Sequence, residues 1–300
     1  MNIDIIQLVS EYLDLIGQIR LCNLNKETSE YIKIYELYEL YGNLHLLTQK
    51  IIEQKKYNCL RKLNARYNKK ITDVNHLSNS LIELNCEGYN GIDDEGIKNL
   101  KNLRVLNAKD NIKITNINHL SNSLIKLNCG GVCGIDDEGI KDLKVLRELY
   151  ASYNKRITNV NPLSESLIVL ECGGNDCGIN NDGIKNLKKI QKLSAYCNEK
   201  ITNVNHLSES LIELSCAAYC GGYCGINDEG IKDLKFLRTL YADENKYITN
   251  VNHLSESLIV LHCGGGKCGI DDEGVKDLKN LQKLCCYGNK KIVNFKIKII

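Results

Sequence analysis

Fifteen cysteines and six histidines in a 300-residue chain are the side chains with the means to bind a metal or attack a substrate. Their spacing invites that reading: three or four residues separate Cys129 from Cys133, Cys172 from Cys177, and Cys216, Cys220 and Cys224 from one another. A structural zinc ion, however, takes four ligands, as a rule from two such pairs brought together. Here the pairs recur at a fixed period, one thiol inside an apolar run and one just after it, which is the pattern of buried structural thiols. Cys22, Cys197, Cys220 and Cys285 stand off that column, and the sequence places no His or Asp to activate them. His76, His119, His206 and His253 occupy one equivalent place, taken by Pro162 in a further copy. A position that tolerates proline is not expected to be catalytic, and a turn role suits all five. Asp-Asp-Glu at 93–95 looks like a carboxylate pair for acid–base work, but the triplet has five copies, partly as Asn, where short helices should start. That argues for capping. The run GGGKCG at 264–269 lacks the Ser or Thr of a phosphate loop, and no nucleophile elbow or zinc-protease motif is present. With 1–45 and 46–300 accounted for, no segment remains for a catalytic domain. The expectation is no catalytic residue, no metal, no cofactor, and a protein that is not an enzyme.

Composition narrows the classes. Lys and Arg number 39 against 37 Asp and Glu, a formal charge of +2, so no strongly basic nucleic-acid footprint is expected. The 43% hydrophobic and 25% charged content is that of a folded domain. No apolar run approaches the roughly 18–20 residues of a membrane span, and the start lacks the basic region of a signal peptide. An odd number of cysteines without an export signal points to reduced thiols in the cytoplasm or nucleus.

The elements that hold these residues are repeats. LRKLNARYN at 60–68 recurs from 103, 146, 190, 237 and 281, and LIELNC at 81–86 recurs from 124, 167, 211 and 258. Interleaved, they give eleven units that begin L-x-x-L-x-(small). In an extended strand alternate residues share a face, so positions 1, 4 and 6 reach one core only if the chain bends after position 1. Position 6 is always small: Ala65, Cys86, Ala108, Cys129, Ala151 and onward to Cys286. Position 9 of the first series is always Asn, from Asn68 to Asn289, a residue able to satisfy turn amides that have no strand beside them. The first series continues ITDVNHL, with Ile71, Val74 and Leu77 spaced by three as in a 3₁₀ segment. The second continues GIDDEGIKNL, in which Asp93 caps a short α-helix and Lys98 and Lys101 suit its far end. Residues 60–300 resemble the leucine-rich-repeat family on this pattern. The resemblance implies an α/β solenoid (a horseshoe) of about eleven repeats with parallel strands on the concave face and alternating 3₁₀ and α-helical convex segments. It also implies that Cys133, Cys177, Cys224 and Cys268 replace the ladder Asn that Asn90 still provides.

Residues 1–45 do not follow the repeat. Ile5, Val9, Tyr12, Leu13 and Ile16 have helical spacing, Gly17 breaks the run, Ile19, Leu21 and Leu24 follow, and Asn25 can cap a third helix bearing Tyr31 and Ile32. Three such helices make a core too small to stand alone, so they need the repeats or a partner. The string DIIQLVSEYLDLIGQIRLCNLNKETSEYI resembles an F-box, although Asn2-Ile3 stands where Leu-Pro is usual and the Trp expected near Glu27 is absent. Joined to leucine-rich repeats, and with the Asn-, Ile-, Lys- and Tyr-rich composition of an AT-rich genome, the chain resembles the F-box and leucine-rich-repeat proteins of giant DNA viruses and protists. That resemblance implies a cytoplasmic substrate-recognition subunit (host cytoplasm if viral) whose F-box segment, 1–45, binds a Skp-type adaptor of a cullin ubiquitin ligase through Ile5, Ile6, Val9, Leu13, Ile19 and Leu24. Residues 46–59 then form a helical linker or cap, and 60–300 hold the target. The alternative is a plain binding scaffold whose N-terminal helices only cover the first repeat.

Positions 3 and 5 of the strands should point into the concave side, and they vary while the framework repeats. They include Lys62, Asn64, Glu83, Asn107, Lys126, Glu148, Tyr150, Glu171, Lys192, Glu213, Tyr241 and His262. The functional reading is a face that binds a protein, with Tyr150 and Tyr241 as anchors; the bland one is a solvated strand surface. Mixed charge favours a protein over nucleic acid or membrane. The terminal run KKIVNFKIKII at 290–300 is uncapped and is expected to fray, pair or be covered.

Overall fold

The computed structural model describes residues 3–11, 13, 15–24, 28, 31–37, 46–219 and 221–294. Asn25, Cys220 and the last six residues of the terminal run lie outside these. Two compact units, Met1–Ile135 and Asp136–Ile300, divide the chain.

In the first unit, helices α1 (Ile3–Glu11) and α2 (Leu15–Cys22) precede parallel strands β1 (Glu36–Leu37), β2 (Lys62–Asn64), β3 (Glu83–Asn85), β4 (Val105–Asn107) and β5 (Lys126–Asn128), paired in chain order. The second unit continues the same plan with β6 (Glu148–Tyr150), β7 (Val169–Glu171), β8 (Lys192–Ser194), β9 (Glu213–Ser215), β10 (Thr239–Tyr241), β11 (Val260–His262) and β12 (Lys283–Cys285). Register is set position by position: Leu63 opposes Leu84, and Leu84 opposes Leu106. Each repeat therefore supplies the wall against which the next buries its leucines.

The bend after position 1 is present. Leu60, Leu63 and Ala65 are all fully buried, as are Leu81, Leu84 and Cys86. Convex segments alternate as the two sequence series predict, with 3₁₀ turns such as Asn75–Leu77 and Asn118–Leu120 and four-residue α-helices such as Asp94–Ile97 and Asp137–Ile140. Asp93 Oδ1 accepts from the Gly96 amide at 3.0 Å, and Asn180 and Asn227 make the same cap in their repeats. Gly183 is required there: a Cβ at that position would lie 2.0 Å from the Thr158 carbonyl oxygen.

Two expectations need correction. Residues 1–45 are not all helical, because Glu36–Leu37 forms a strand paired to β2, one repeat earlier than the sequence pattern shows. Ile34 and Leu37 are fully buried and play positions 1 and 4. In the sequence Glu39 stands at the sixth place, where every other unit has a small residue, which is why the match escapes a pattern search. The first helical run also breaks at Leu13 and not at Gly17, which lies inside α2. There the Leu13 amide closes a tight turn onto the Ser10 carbonyl at 3.1 Å, while the Ser10 hydroxyl donates to the Gln7 carbonyl at 2.6 Å.

Candidate protein-binding face

Two polar ladders hold the strands in register. Asn198 Nδ2 donates to the carbonyls of Cys172 and Ile179 in the preceding repeat at 2.8 and 3.1 Å, and its Oδ1 accepts from the Lys200 amide at 2.9 Å. Asn111, Asn245 and Asn289 repeat this geometry. In the intervening repeats a thiol takes over: Cys177, Cys224 and Cys268 Sγ donate to the carbonyls of Ala151, Ala195 and Ala242 at 3.8, 3.4 and 3.6 Å. Asn90 does the same toward Ala65. Thus the cysteines stand in for asparagine at a smaller volume. Burial pushes the Cys86 and Cys224 thiols up to about 12, and Cys172 and Cys216 are raised well above the ordinary value by the same cause. Such thiols are neutral and unreactive at physiological pH. No group of three metal-ligating side chains converges among the described residues, and none of their buried side-chain nitrogens or oxygens lacks a hydrogen-bond partner.

The convex side carries staples that sequence reasoning missed. Asp94 caps nothing. Its Oδ2 accepts from the Thr115 hydroxyl at 2.6 Å and its Oδ1 from the Thr115 amide at 2.8 Å, one repeat downstream. Asp137 with Thr158 and Asp228 with Thr249 form the same contact. Asn161 Nδ2 donates to the Asp182 carbonyl and its Oδ1 accepts from the Asn186 amide, clamping a 3₁₀ turn to the following helix. The signal was the pairing of the Asp of D-E-G with the Thr of I-T-N, always 21 residues apart. The turn role of the histidines is concrete as well: His119, His206 and His253 Nε2 lie 3.1, 3.0 and 3.1 Å from the carbonyls of Ile97, Ile184 and Ile231. Burial lowers the pKa of each of these three.

That framework presents positions 3 and 5 of the strands at half-exposure on either side of a fully buried leucine. Several predicted residues come together. Lys192 pairs with Glu213 across β8 and β9 at 3.1 Å, Lys62 with Glu36 at 3.2 Å, and the Tyr150 hydroxyl donates to Glu148 at 2.8 Å. The Tyr241 and His262 rings lie 4.7 Å apart, and Tyr150 is opposite Glu171 in register. Glu83 lies opposite Lys62, and Lys126 opposite Val105. Asn64 and Asn107 prove to have a structural task. Each Oδ1 accepts from the amide two residues on, Arg66 at 3.1 Å and Lys109 at 3.2 Å, and so ends its strand in a side-chain turn.

The N-terminal positions are divided. Ile5, Leu13 and Leu24 are exposed at 55%, 38% and 68%, whereas Ile6 is buried. Ile19 is half-buried. Val9 lies in α1, with its side chain outside what is described. No helix among the described residues is long and apolar enough to cross a membrane.

No family model matches the chain, and no curated protein matches it in sequence. Among solved structures, an internalin (InlF) of Listeria monocytogenes is 22% identical, with 81% of this chain and 76% of that one covered at a TM-score of 0.52. The functional domain of InlJ from the same bacterium, which includes a cysteine ladder, is 21% identical over 82% of this chain and 53% of its own, at 0.49. A leucine-rich-repeat protein of Leptospira interrogans is 16% identical over 91% and 86%, at 0.41. The likeness to InlF, together with the repeat geometry above, establishes a leucine-rich-repeat solenoid fold.

Proposed function

We propose that this chain is a protein-binding scaffold without catalytic machinery, and that it serves as the substrate-recognition subunit of a cullin-type ubiquitin ligase. The observation that supports binding is the contrast within each repeat: ladder, cap and staple residues recur, while positions 3 and 5 change from one strand to the next. A merely solvated surface would have no need of aromatic pairs such as Tyr241 and His262.

The adaptor role is supported by the apolar side chains that α1, α2 and their flanks leave in water. Ile5, Leu8, Leu13, Ile16 and Leu24 are between 38% and 68% exposed, which suits helices that dock on a Skp-type partner. A specific observation favours the simpler reading, in which the helices only cover the first repeat. Gln7 ties α1 to the segment that leads into β1, its Oε1 accepting from the Lys33 amide at 2.9 Å, and Ile6, Cys22, Ile32 and Ile34 are buried. One experiment separates the two. The full chain and its Ile5→Asp/Leu24→Asp variant are each co-expressed with a Skp adaptor, and co-purification is read. Capture by the native chain and loss in the variant are expected. A native chain that stays folded and retains no adaptor leaves the scaffold reading alone.

A further inference from the structure

The row of residues just before the strands, position 2 of each repeat, is neither core nor concave face. From β6 to β10 it reads Arg147, Ile168, Gln191, Ile212, Arg238. From Ile168 onward each amide in this row donates to the carbonyl of the residue before it in the row, at 2.8 to 2.9 Å, so the row is a rigid rung across β6 to β10. Arg147 and Arg238 therefore stand four strand spacings apart, roughly 19 Å.

Between them lies a groove of about 850 Å³. Ile168 and Ile212 line it, and Val145 and Phe236, exposed at 37% and 52%, add apolar surface. Its rim is cationic. Lys189 is paired with Glu165 at 3.1 Å. Lys144, Arg147, Lys188 and Arg238 also line the groove, and none of them forms an ion pair among the described residues. Glu209 is the one further carboxylate in the lining. A chain whose total charge is only +2 thus collects unneutralised positive charge around an apolar trough.

The geometry points to this rim as a docking groove for an acidic peptide segment of a protein partner: an extended stretch with Asp or Glu near each end and aliphatic or aromatic side chains between. The span between the arginines corresponds to about six extended residues. Carboxylates at that separation meet guanidinium groups able to bind them through two parallel hydrogen bonds. The residues between would cover Ile168 and Ile212 and release water from them. Nucleic acid fits less well, because a phosphate backbone has nothing to lay on the isoleucines and would meet Glu165 and Glu209. This groove does not depend on the adaptor reading, and it is distinct from positions 3 and 5.

The test is to pan a random dodecamer peptide library, displayed on phage, against the full chain, and to measure the selected peptides by fluorescence anisotropy against the native chain and the Arg147→Glu/Arg238→Glu variant. Both arginines are exposed, and a matching unfolding curve shows that the variant folds; Arg147→Gln/Arg238→Gln serves if it does not. The expected result is enrichment of peptides with acidic flanks around an apolar centre, with affinity reduced about tenfold or more by charge reversal. Selected peptides that lack acidic residues, or that bind the variant equally well, would place binding elsewhere, for instance on the concave face, and overturn the proposal. So would an absence of enrichment, or an oligothymidylate that binds more tightly than the peptides and is lost in the variant.

Discussion

Ile5, Leu8 and Ile16 in α1 and α2 and Leu60, Leu63 and Ile71 in the first full repeat are residues of the same kinds in opposite situations. The first three are 55%, 55% and 56% exposed, and the other three are fully buried. The difference lies in what each element is given to pack against. A helix of eight or nine residues offers one stripe to a neighbour and leaves the rest to solvent. A repeat offers its leucines to the repeat on either side, and its turns are closed by ladders and staples that reach the same neighbours. The helices are thus held by a few contacts on one face, and the repeats by every position that recurs.

This contrast predicts where single substitutions are felt. The largest effect belongs to the ladder. Asn198→Ala leaves the carbonyls of Cys172 and Ile179 and the amide of Lys200 without their side-chain partner, and it should cost about 3–5 kcal/mol in urea unfolding. By comparison Gln18→Ala, which removes a hydrogen bond from Gln18 Nε2 to the Leu13 carbonyl near α2, should change stability by less than about 0.5 kcal/mol. Equal costs at the two sites would abolish the distinction.

Glycine gives the next largest effect, with a change of sign. Gly183→Ala drives a methyl group against the Thr158 carbonyl oxygen and should destabilise by about 2–3 kcal/mol. Gly17→Ala, within helix α2, should stabilise by up to about 1 kcal/mol. Thermal melts of both variants check the sign.

A smaller effect tests the staples. In a double-mutant cycle, Asp228→Ala and Thr249→Val should show a coupling of about 1 kcal/mol. No coupling would mean that the 2.6 Å contact between their side chains adds nothing in water.

The smallest effect is one of pH. Burial lowers the pKa of His119, His206 and His253 in the folded chain, so the unfolded chain binds more protons and stability rises with pH. The contribution is complete above the unfolded value of about 6.5 and is lost as pH falls through the depressed folded values. Replacing all three by Asn should flatten the pH dependence of the urea midpoint in that window. An unchanged slope would remove the histidines from the account. Residues 3–24 contain no histidine, so this dependence belongs to the repeats.

What the sequence discloses follows the same division. The ladder asparagines are legible because each recurs at one phase and carries both the donor and the acceptor that the turn uses. The cysteine column is legible because thiol and amide alternate with the two series. The first strand is not, since Ile34 and Leu37 are two points of a pattern that needs three. Asp94 misleads for a physical reason: a carboxylate in the first turn of a helix is favourable wherever it points, so its true partner 21 residues on leaves no separate trace in its identity. Asn64 and Asn107 mislead in another way. A half-exposed amide on a strand looks like a contact residue, while its bond to the amide two residues on fits any sequence.

One feature of the turns after the strands bears on how such a chain could have grown. Tyr67, Asp110, Tyr153 and Glu244 adopt positive φ although none is glycine, and the equivalent residues of the following repeats are Gly88, Gly131, Gly174 and Gly265. Each side chain lies where a Cβ on the next repeat's glycine would have to sit. Large and absent side chains therefore face each other in these four pairs; Cys197, also at positive φ, is followed by Ala218, and in the last repeat Gly288 follows Gly265. With the 3₁₀ and α-helical convex segments alternating as well, the heritable quantum of this protein is a pair of repeats. Recombination that adds or deletes whole pairs preserves the fold, and natural or engineered versions of different length should differ by an even number of repeats.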